Sequence, residues 1–223
     1  MELWHGSRRV VRRPRLALCR PHNDYGAGFY CTPDRELAKE WACTPGSGGF
    51  ANRYELDTAG LSMLDLESDE YTALDWLAVL VTSRVFQPPT VLAAEAIDYL
   101  KRHFLPDLAK YDLVSGYRAD DSYFSFARAF VTNQISLRQL SEAMRLGGLG
   151  TQVMLRSERA FGAISYRGFE PAPEEEFYAR RALRDSEARE SYRSLCSSYD
   201  QEGLYMADIL REGVGADDTR LRI

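Results

Sequence analysis

Two short apolar segments near the start of the chain, Leu3-Trp4-His5-Gly6-Ser7 and Gly26-Ala27-Gly28-Phe29-Tyr30-Cys31-Thr32, flank a stretch that cannot be continuous helix or strand. Pro14, Pro21 and the turn-prone Asn23-Asp24 interrupt that stretch and make residues 8–25 an irregular arm. Residues 2–5 read as a first strand. Residues 28–32, mixing small, aromatic and β-branched side chains, read as a second. The second strand runs directly into a helix: Thr32 or Asp34 supplies the cap, and Leu37, Ala38, Trp41 and Ala42 fall on one face. Strand, arm, strand and capped helix therefore place one imidazole, His5, and one phenol, Tyr30, on neighbouring strands beside glycine-rich backbone. Such a pair suits either a buried polar corner or a clamp on a dinucleotide.

Beyond Pro45 and the glycines that follow it, residues 52–56 and 62–66 read as short strands. The centre is helical. Residues 71–86 carry an apolar face through Leu74, Leu77, Ala78 and Val81, and Pro88-Pro89 separates them from a second helix over 91–104. Residues 112–118 return to strand character, residues 123–130 and 136–145 to helix, and Ser136 is a good N-cap. Residues 151–156 and 161–166 are expected to be the last strands. After Gly168 the composition shifts: Pro171 and Pro173 form a stiff linker, and residues 174–212 read as charged helix interrupted at Gly203. The division expected is a main domain over 1–168 and a helical extension over 169–223, which either braces the main domain or covers a partner.

With 223 residues and 45% hydrophobic content, the chain can bury one sizeable core. No apolar run is long enough for a membrane span, and arginines punctuate the N-terminal segment, so a cytoplasmic protein with no membrane partner is expected. Cys19, Cys31, Cys43 and Cys196 lack the spacing of a zinc site or a disulfide scaffold, and no metal is implied. The net charge of −5 argues against a general nucleic-acid binder. Six arginines nevertheless lie between Arg8 and Arg20, as either a solvated loop or a phosphate-facing patch.

The segment from Leu3 to Ser7 resembles the first motif of the diphtheria-toxin-like ADP-ribosyltransferases, the branch that includes the catalytic domains of poly(ADP-ribose) polymerases. Gly26-x-Gly28-Phe29-Tyr30, followed by a helix with Ala38 and Trp41, resembles the second motif. Thr151-Gln152-Val153-Met154 with residues 161–166 resembles the third, where many members carry Glu. The match is closest to a family of bacterial domains often encoded like toxin–antitoxin toxins, whose members share an Ala-Asp-Asp turn like Ala119-Asp120-Asp121. The resemblance covers residues 1 to about 168.

It implies an α+β fold with a split, mostly antiparallel sheet core, a helical insertion and a helical C-terminal extension, with NAD bound as co-substrate between the half-sheets. His5 would hold the adenosine ribose, the Gly6 backbone would bind the nicotinamide carboxamide, and Ser7 would belong to the cofactor-binding set. Tyr30 and Trp41 would sandwich the nicotinamide ring, and Gln152 would meet the ribose and acceptor. A neutral amide at 152 cannot serve as a general base, so Asp120 and Asp121 become candidates for the missing carboxylate. One of them could equally cap the helix that follows. Ala38 departs from the Ser that polymerase-like members often use for the carboxamide. The implied activity is mono-ADP-ribosylation of a protein or nucleic-acid acceptor by a toxin-type effector, with an antitoxin as partner. NAD hydrolysis, or an NAD-binding or ADP-ribose-binding module of weak activity, are the alternatives.

Overall fold

The computed structural model describes residues 1–119, 121–148 and 150–222; the side chains of residues 121–123 lie outside the described set. The protein is α+β and its strands form two sheets. In the first, β1 (Glu2–Ser7), β3 (Gly49–Leu56) and β7 (Ile164–Ala172) are antiparallel in the order β1-β3-β7. In the second, the order is β2 (Phe29–Cys31), β6 (Thr151–Leu155), β5 (Leu113–Tyr117) and β4 (Met63–Asp65); the pairings are antiparallel except that of β4 with β5. Leu3, Phe29, Tyr54, Leu56 and Leu155 form a buried cluster shared by strands of both sheets.

The helix α1 (Arg35–Ala42) starts at Asp34, whose carboxylate accepts the backbone N–H groups of Glu36 and Leu37 at 2.8 and 3.1 Å. This is the N-cap bond expected of an Asp, worth about 1 kcal/mol. The central helices α2 (Ala73–Ser83), α3 (Val91–His103), α4 (Asp121–Val131) and α5 (Leu137–Ala143) build the larger core with Val114 and Met154 of the second sheet. α2 is buried from Leu74 through Val81, with aliphatic and aromatic side chains on all sides. A helix apolar all round is one enclosed by the protein. Reciprocal capping at Thr72 and Asp75 and at Ser136 and Gln139 fixes the starts of α2 and α5.

The end of the chain is built into the same body. α7 (Glu174–Leu195) buries Phe177 against Ala42, Cys43 and Ala172, and Arg184 grips the buried carboxylate of Glu40 on α1 through two bonds of 2.8 and 3.0 Å. After α8 (Met206–Glu212), Val214 and Leu221 join Met206 and Ile209 in the helical core, and Tyr99 donates to the Val214 carbonyl at 3.1 Å. The extension braces the body.

Two local readings are corrected. Residues 161–163 belong to a short helix, α6 (Glu158–Ala163), because Ser157 caps it by accepting from the Ala160 N–H at 3.1 Å. The strand begins only at Ile164 and continues through Gly168 to Ala172. Pro171 is therefore a strand residue rather than a linker, tolerated because β7 lies at a sheet edge. Gly203 is not where the C-terminal helix breaks. α7 stops at Leu195, and the following turn carries Asp200 into bonds with Ser136 and Arg138 on α5.

Candidate functional site between the two sheets

β1 and β2 touch as strands at one residue pair. The Trp4 N–H donates to Thr32 O and the Thr32 N–H to Trp4 O, both at 2.8 Å. In a continued antiparallel ladder Tyr30 would next pair with Gly6. The His5 side chain takes that carbonyl instead, with Nδ1 2.7 Å from Tyr30 O. A carbonyl can only accept, so Nδ1 carries the hydrogen. Burial lowers the His5 pKa from 6.5, which favours a neutral ring with Nε2 as its acceptor. Past this bond the strands part and a cleft of about 690 Å³ opens.

Gly6 lets α1 cross β1 at the parting. A methyl group there would come within 2.0 Å of the Ala38 carbonyl oxygen and 2.8 Å of the Ala42 nitrogen. The Ser7 hydroxyl donates to Arg9 O at 2.6 Å. Beside it the buried amide of Asn52 on β3 points its nitrogen at His5 O and Ser7 Oγ, each at 3.1 Å, and accepts the Val11 N–H at 2.8 Å. Asn52 thereby anchors the start of the arm. Tyr30 also has a fixed partner set: its hydroxyl donates to Gly26 O at 2.7 Å and accepts from the Tyr25 N–H at 2.9 Å. Burial pushes its pKa well above that of a free phenol, so the ring enters the cleft as a neutral aromatic face.

Gln152 on β6 is 3% exposed and donates from Nε2 to Asp24 Oδ2 at 2.9 Å and to Tyr117 O at 3.3 Å. Two acceptors facing one end of the amide fix its orientation and leave Oε1 as the acceptor end. Asp24 is the carboxylate that accompanies this amide. It is 7% exposed, also accepts the Ala119 N–H at 2.9 Å, and meets Arg84 Nε at 3.3 Å. Burial raises its pKa, while the bond from Gln152 and the charge of Arg84 oppose the rise. Asp120 lies outside the described residues, and Asp121 opens α4 with its side chain likewise outside them.

The cleft brings together the described candidates His5, Gly6, Ser7, Tyr30, Trp41 and Gln152. Trp41 projects from α1 with the Arg118 guanidinium 4.3 Å from its ring centre, a cation–π contact. Its Nε1–H is buried and has no hydrogen-bond partner among the described residues. Arg8, Arg15 and Arg20 of the arm also line the cleft, joined by Arg84, Arg118 and Arg181. Arg181 comes from α7 and donates to Cys43 O at 3.0 Å, so the C-terminal helix forms part of the wall.

Sequence reasoning missed Asp24, Asn52, Arg84, Arg118 and Arg181. Asp24 had the only readable signal, an Asn-Asp turn just before the Gly-x-Gly segment.

Fold and site define an α+β protein whose two sheets part at an arginine-lined cleft. A family model described as a protein of unknown function (DUF3990) matches residues 1–166, and the chain belongs to that family. No curated protein and no solved structure matches the chain. No helix among the described residues is long and apolar enough to cross a membrane.

Proposed function

We propose that this protein is an ADP-ribosyltransferase with a split-sheet transferase fold, using NAD as the donor and modifying a macromolecular acceptor. The observation that carries the reading is the convergence of His5, Gly6, Ser7, Tyr30, Trp41 and Gln152 on one cleft, although they come from separate strands and a helix. The donor set suits a dinucleotide. His5 Nε2 is an acceptor for a ribose hydroxyl, Tyr30 and Trp41 offer flat faces for the nicotinamide ring, and the arginines suit a pyrophosphate. The buried, unpartnered Nε1–H of Trp41 is a donor suited to an acceptor atom of a ligand.

Transfer breaks the bond between the nicotinamide nitrogen and the ribose anomeric carbon, and the electron pair leaves with nicotinamide. The acceptor's oxygen or nitrogen bonds to that carbon and releases its proton. The chain's task is to orient the donor and favour the positive charge that develops on the ribose. Gln152 Oε1 offers the acceptor end of a fixed amide for the ribose hydroxyl. Asp24 holds that amide in place by accepting from its Nε2, so that Oε1 stays turned away from it. In this assignment Asp24 is a positioning residue, since it acts through Gln152.

The test follows label from adenine-labelled NAD into macromolecules of a cell lysate, with wild type, His5→Ala and Tyr30→Ala compared. Labelling by wild type and its loss in both variants is expected; equal labelling by all three sinks the assignment. Nicotinamide release without labelled macromolecules would assign hydrolysis instead. A toxin-type role in the cytoplasm, restrained by an antitoxin, is the further part of this proposal that rests on the resemblance. Its check is growth arrest on expression of wild type and its absence with His5→Ala.

A further inference from the structure

Among the described residues six guanidinium groups line the cleft, against one carboxylate, that of Asp24. This concentration of positive charge sits in a chain whose net charge is −5. The pyrophosphate of a dinucleotide offers about two negative charges, enough for roughly two arginines in bidentate pairs. Arg84, Arg118 and Arg181 already have partners in the cleft wall, so the charges that point to a second anionic ligand are those of the arm, Arg15 and Arg20 above all.

The arm has a second peculiarity. Exposed arginines elsewhere, among them Arg35, Arg53, Arg167, Arg180 and Arg220, sit against carboxylates at 2.5 to 3.5 Å. Arg8 instead donates to Thr44 Oγ1 at 3.0 Å, and Arg15 and Arg20 form no ion pair with any carboxylate among the described residues. Both are exposed at the cleft together with Leu18, which is 77% exposed. Deeper in the cleft lie Phe29, Tyr30 and Trp41. With Tyr30 and Trp41 assigned to the nicotinamide ring and Phe29 buried in the core, the outer cleft offers exposed cations beside an exposed apolar side chain, Leu18. This suits a flexible phosphodiester strand, whose phosphates meet the cations while a base lies on apolar surface.

We propose that the acceptor at this cleft is a single-stranded nucleic acid, its phosphates held by Arg15 and Arg20 and its acceptor base or end directed toward Tyr30 and Gln152. This rests on the reading of the cleft as the site of NAD. A single strand is inferred over a duplex because a base nitrogen can enter a cleft of about 690 Å³ only from an unpaired or extruded nucleotide, and a flexible strand end reaches it more readily than a stiff duplex end. The overall negative charge does not prevent the approach, because beyond a Debye length of about 10 Å it is screened. The covalent step is balanced as for any acceptor: a base nitrogen or a terminal oxygen gains ADP-ribose, and nicotinamide and one proton are released.

The test uses the full chain and fluorescently labelled mixed-sequence DNA and RNA oligonucleotides, single-stranded and duplex, followed by anisotropy across a salt series. Single strands should bind more tightly than duplex, with affinity falling as salt rises by a slope of about −0.7 for each phosphate engaged. Arg15→Gln with Arg20→Gln should lower that slope in magnitude by about 1.4 and weaken binding roughly 10-fold or more at fixed salt. Arg12→Gln with Arg13→Gln, on the same arm but outside the cleft lining, should keep most of the affinity. With labelled NAD present, the oligonucleotide should gain the mass of ADP-ribose. Equal loss in both variant pairs, preference for duplex, or label on lysate proteins with none on nucleic acid would each overturn the proposal. NAD-induced thermal stabilisation is measured separately on the same samples. Its absence removes the donor reading, whereas its presence with no oligonucleotide binding removes only the acceptor.

Discussion

Under the proposed transferase reading a glutamate at position 152 is the natural repair to attempt, and the surroundings of Gln152 predict that it fails. Gln152 Nε2 sits 2.9 Å from Asp24 Oδ2. Gln152→Glu preserves shape but replaces this donor with a carboxylate oxygen facing another carboxylate. For two unit charges about 4 Å apart at an effective dielectric constant of about 20, repulsion is about 4 kcal/mol. Both groups are buried, so water screens little of it. The pair will hold one proton between them, with one carboxyl pKa driven up. Burial already raises the Asp24 pKa, so the direction is the same. A carboxyl whose folded pKa exceeds its unfolded one is stabilising below the unfolded value, and that stability is lost as pH rises through the folded value. The deficit of Q152E relative to wild type should therefore be small at about pH 4 and approach about 4 kcal/mol at about pH 8. Urea unfolding across that range measures it. Adding Asp24→Asn removes the like charge, and the double-mutant cycle should show a coupling of about 2 kcal/mol or more. Stability of Q152E equal to wild type at alkaline pH, or additive single effects, would refute the charge argument.

Gly6→Ala should lower stability by about 1–3 kcal/mol through overpacking against Ala38 O, read as a fall in Tm. The control Gly162→Ala, where nothing lies within 4 Å of the new methyl, should not lower it. The pKa of His5 is lowered from 6.5 by burial, so below that pH the unfolded chain takes up a proton that the folded one resists. Stability should be complete above pH 6.5 and decline as pH falls, and the decline should be shallower in His5→Gln; parallel Tm profiles would contradict it. Trp41→Phe keeps a ring and deletes the buried, unpartnered Nε1–H. Relief of the unpaired donor, about 1 kcal/mol, offsets the smaller ring and its weaker contact with Arg118. The Tm of the ligand-free protein should therefore change little while the thermal shift given by NAD falls; an unchanged shift would show the donor to be irrelevant.

Much of the fold was legible because the signals are local. Asp34 capping α1, Ser136 capping α5 and the apolar face of α2 each need only nearby residues to declare themselves. Residues 161–163 read differently in the sequence because their preferences conflict, Phe favouring a strand, Ala a helix and Gly neither, and the cap at Ser157 decides for the helix. The candidate residues from His5 to Gln152 were legible as a set through motif order. Asp24 was not, because its meaning depends on Gln152, 128 positions away, and on an Ala119 N–H reached only after β5 is in place. Arg181 was hidden for the same reason: a charged position on a charged helix says nothing until Phe177 has docked that helix beside α1.

The parting of β1 and β2 changes how the two named side chains are to be understood. His5 substitutes for a ladder bond at the Tyr30 carbonyl, and the Tyr30 hydroxyl ties back the loop at Gly26 and Tyr25. Each residue therefore builds the cleft as well as lining it. Removing either leaves backbone groups without their partners, at a cost of about 1–3 kcal/mol per buried group, so lost activity in those variants mixes altered chemistry with altered shape. The Trp41 Nε1–H, Arg15 and Arg20 have no such double duty among the described residues. The Trp41 Nε1–H holds nothing in place, and Arg15 and Arg20 are exposed and without carboxylate partners among the described residues. Loss of ligand binding without loss of stability at those positions separates recognition from architecture. The cleft thus divides into a rigid wall, His5, Gly6, Tyr30 and the Gln152–Asp24 pair, and an adaptable rim of arginines. Donor geometry is expected to depend on the wall, and the choice of acceptor on the rim.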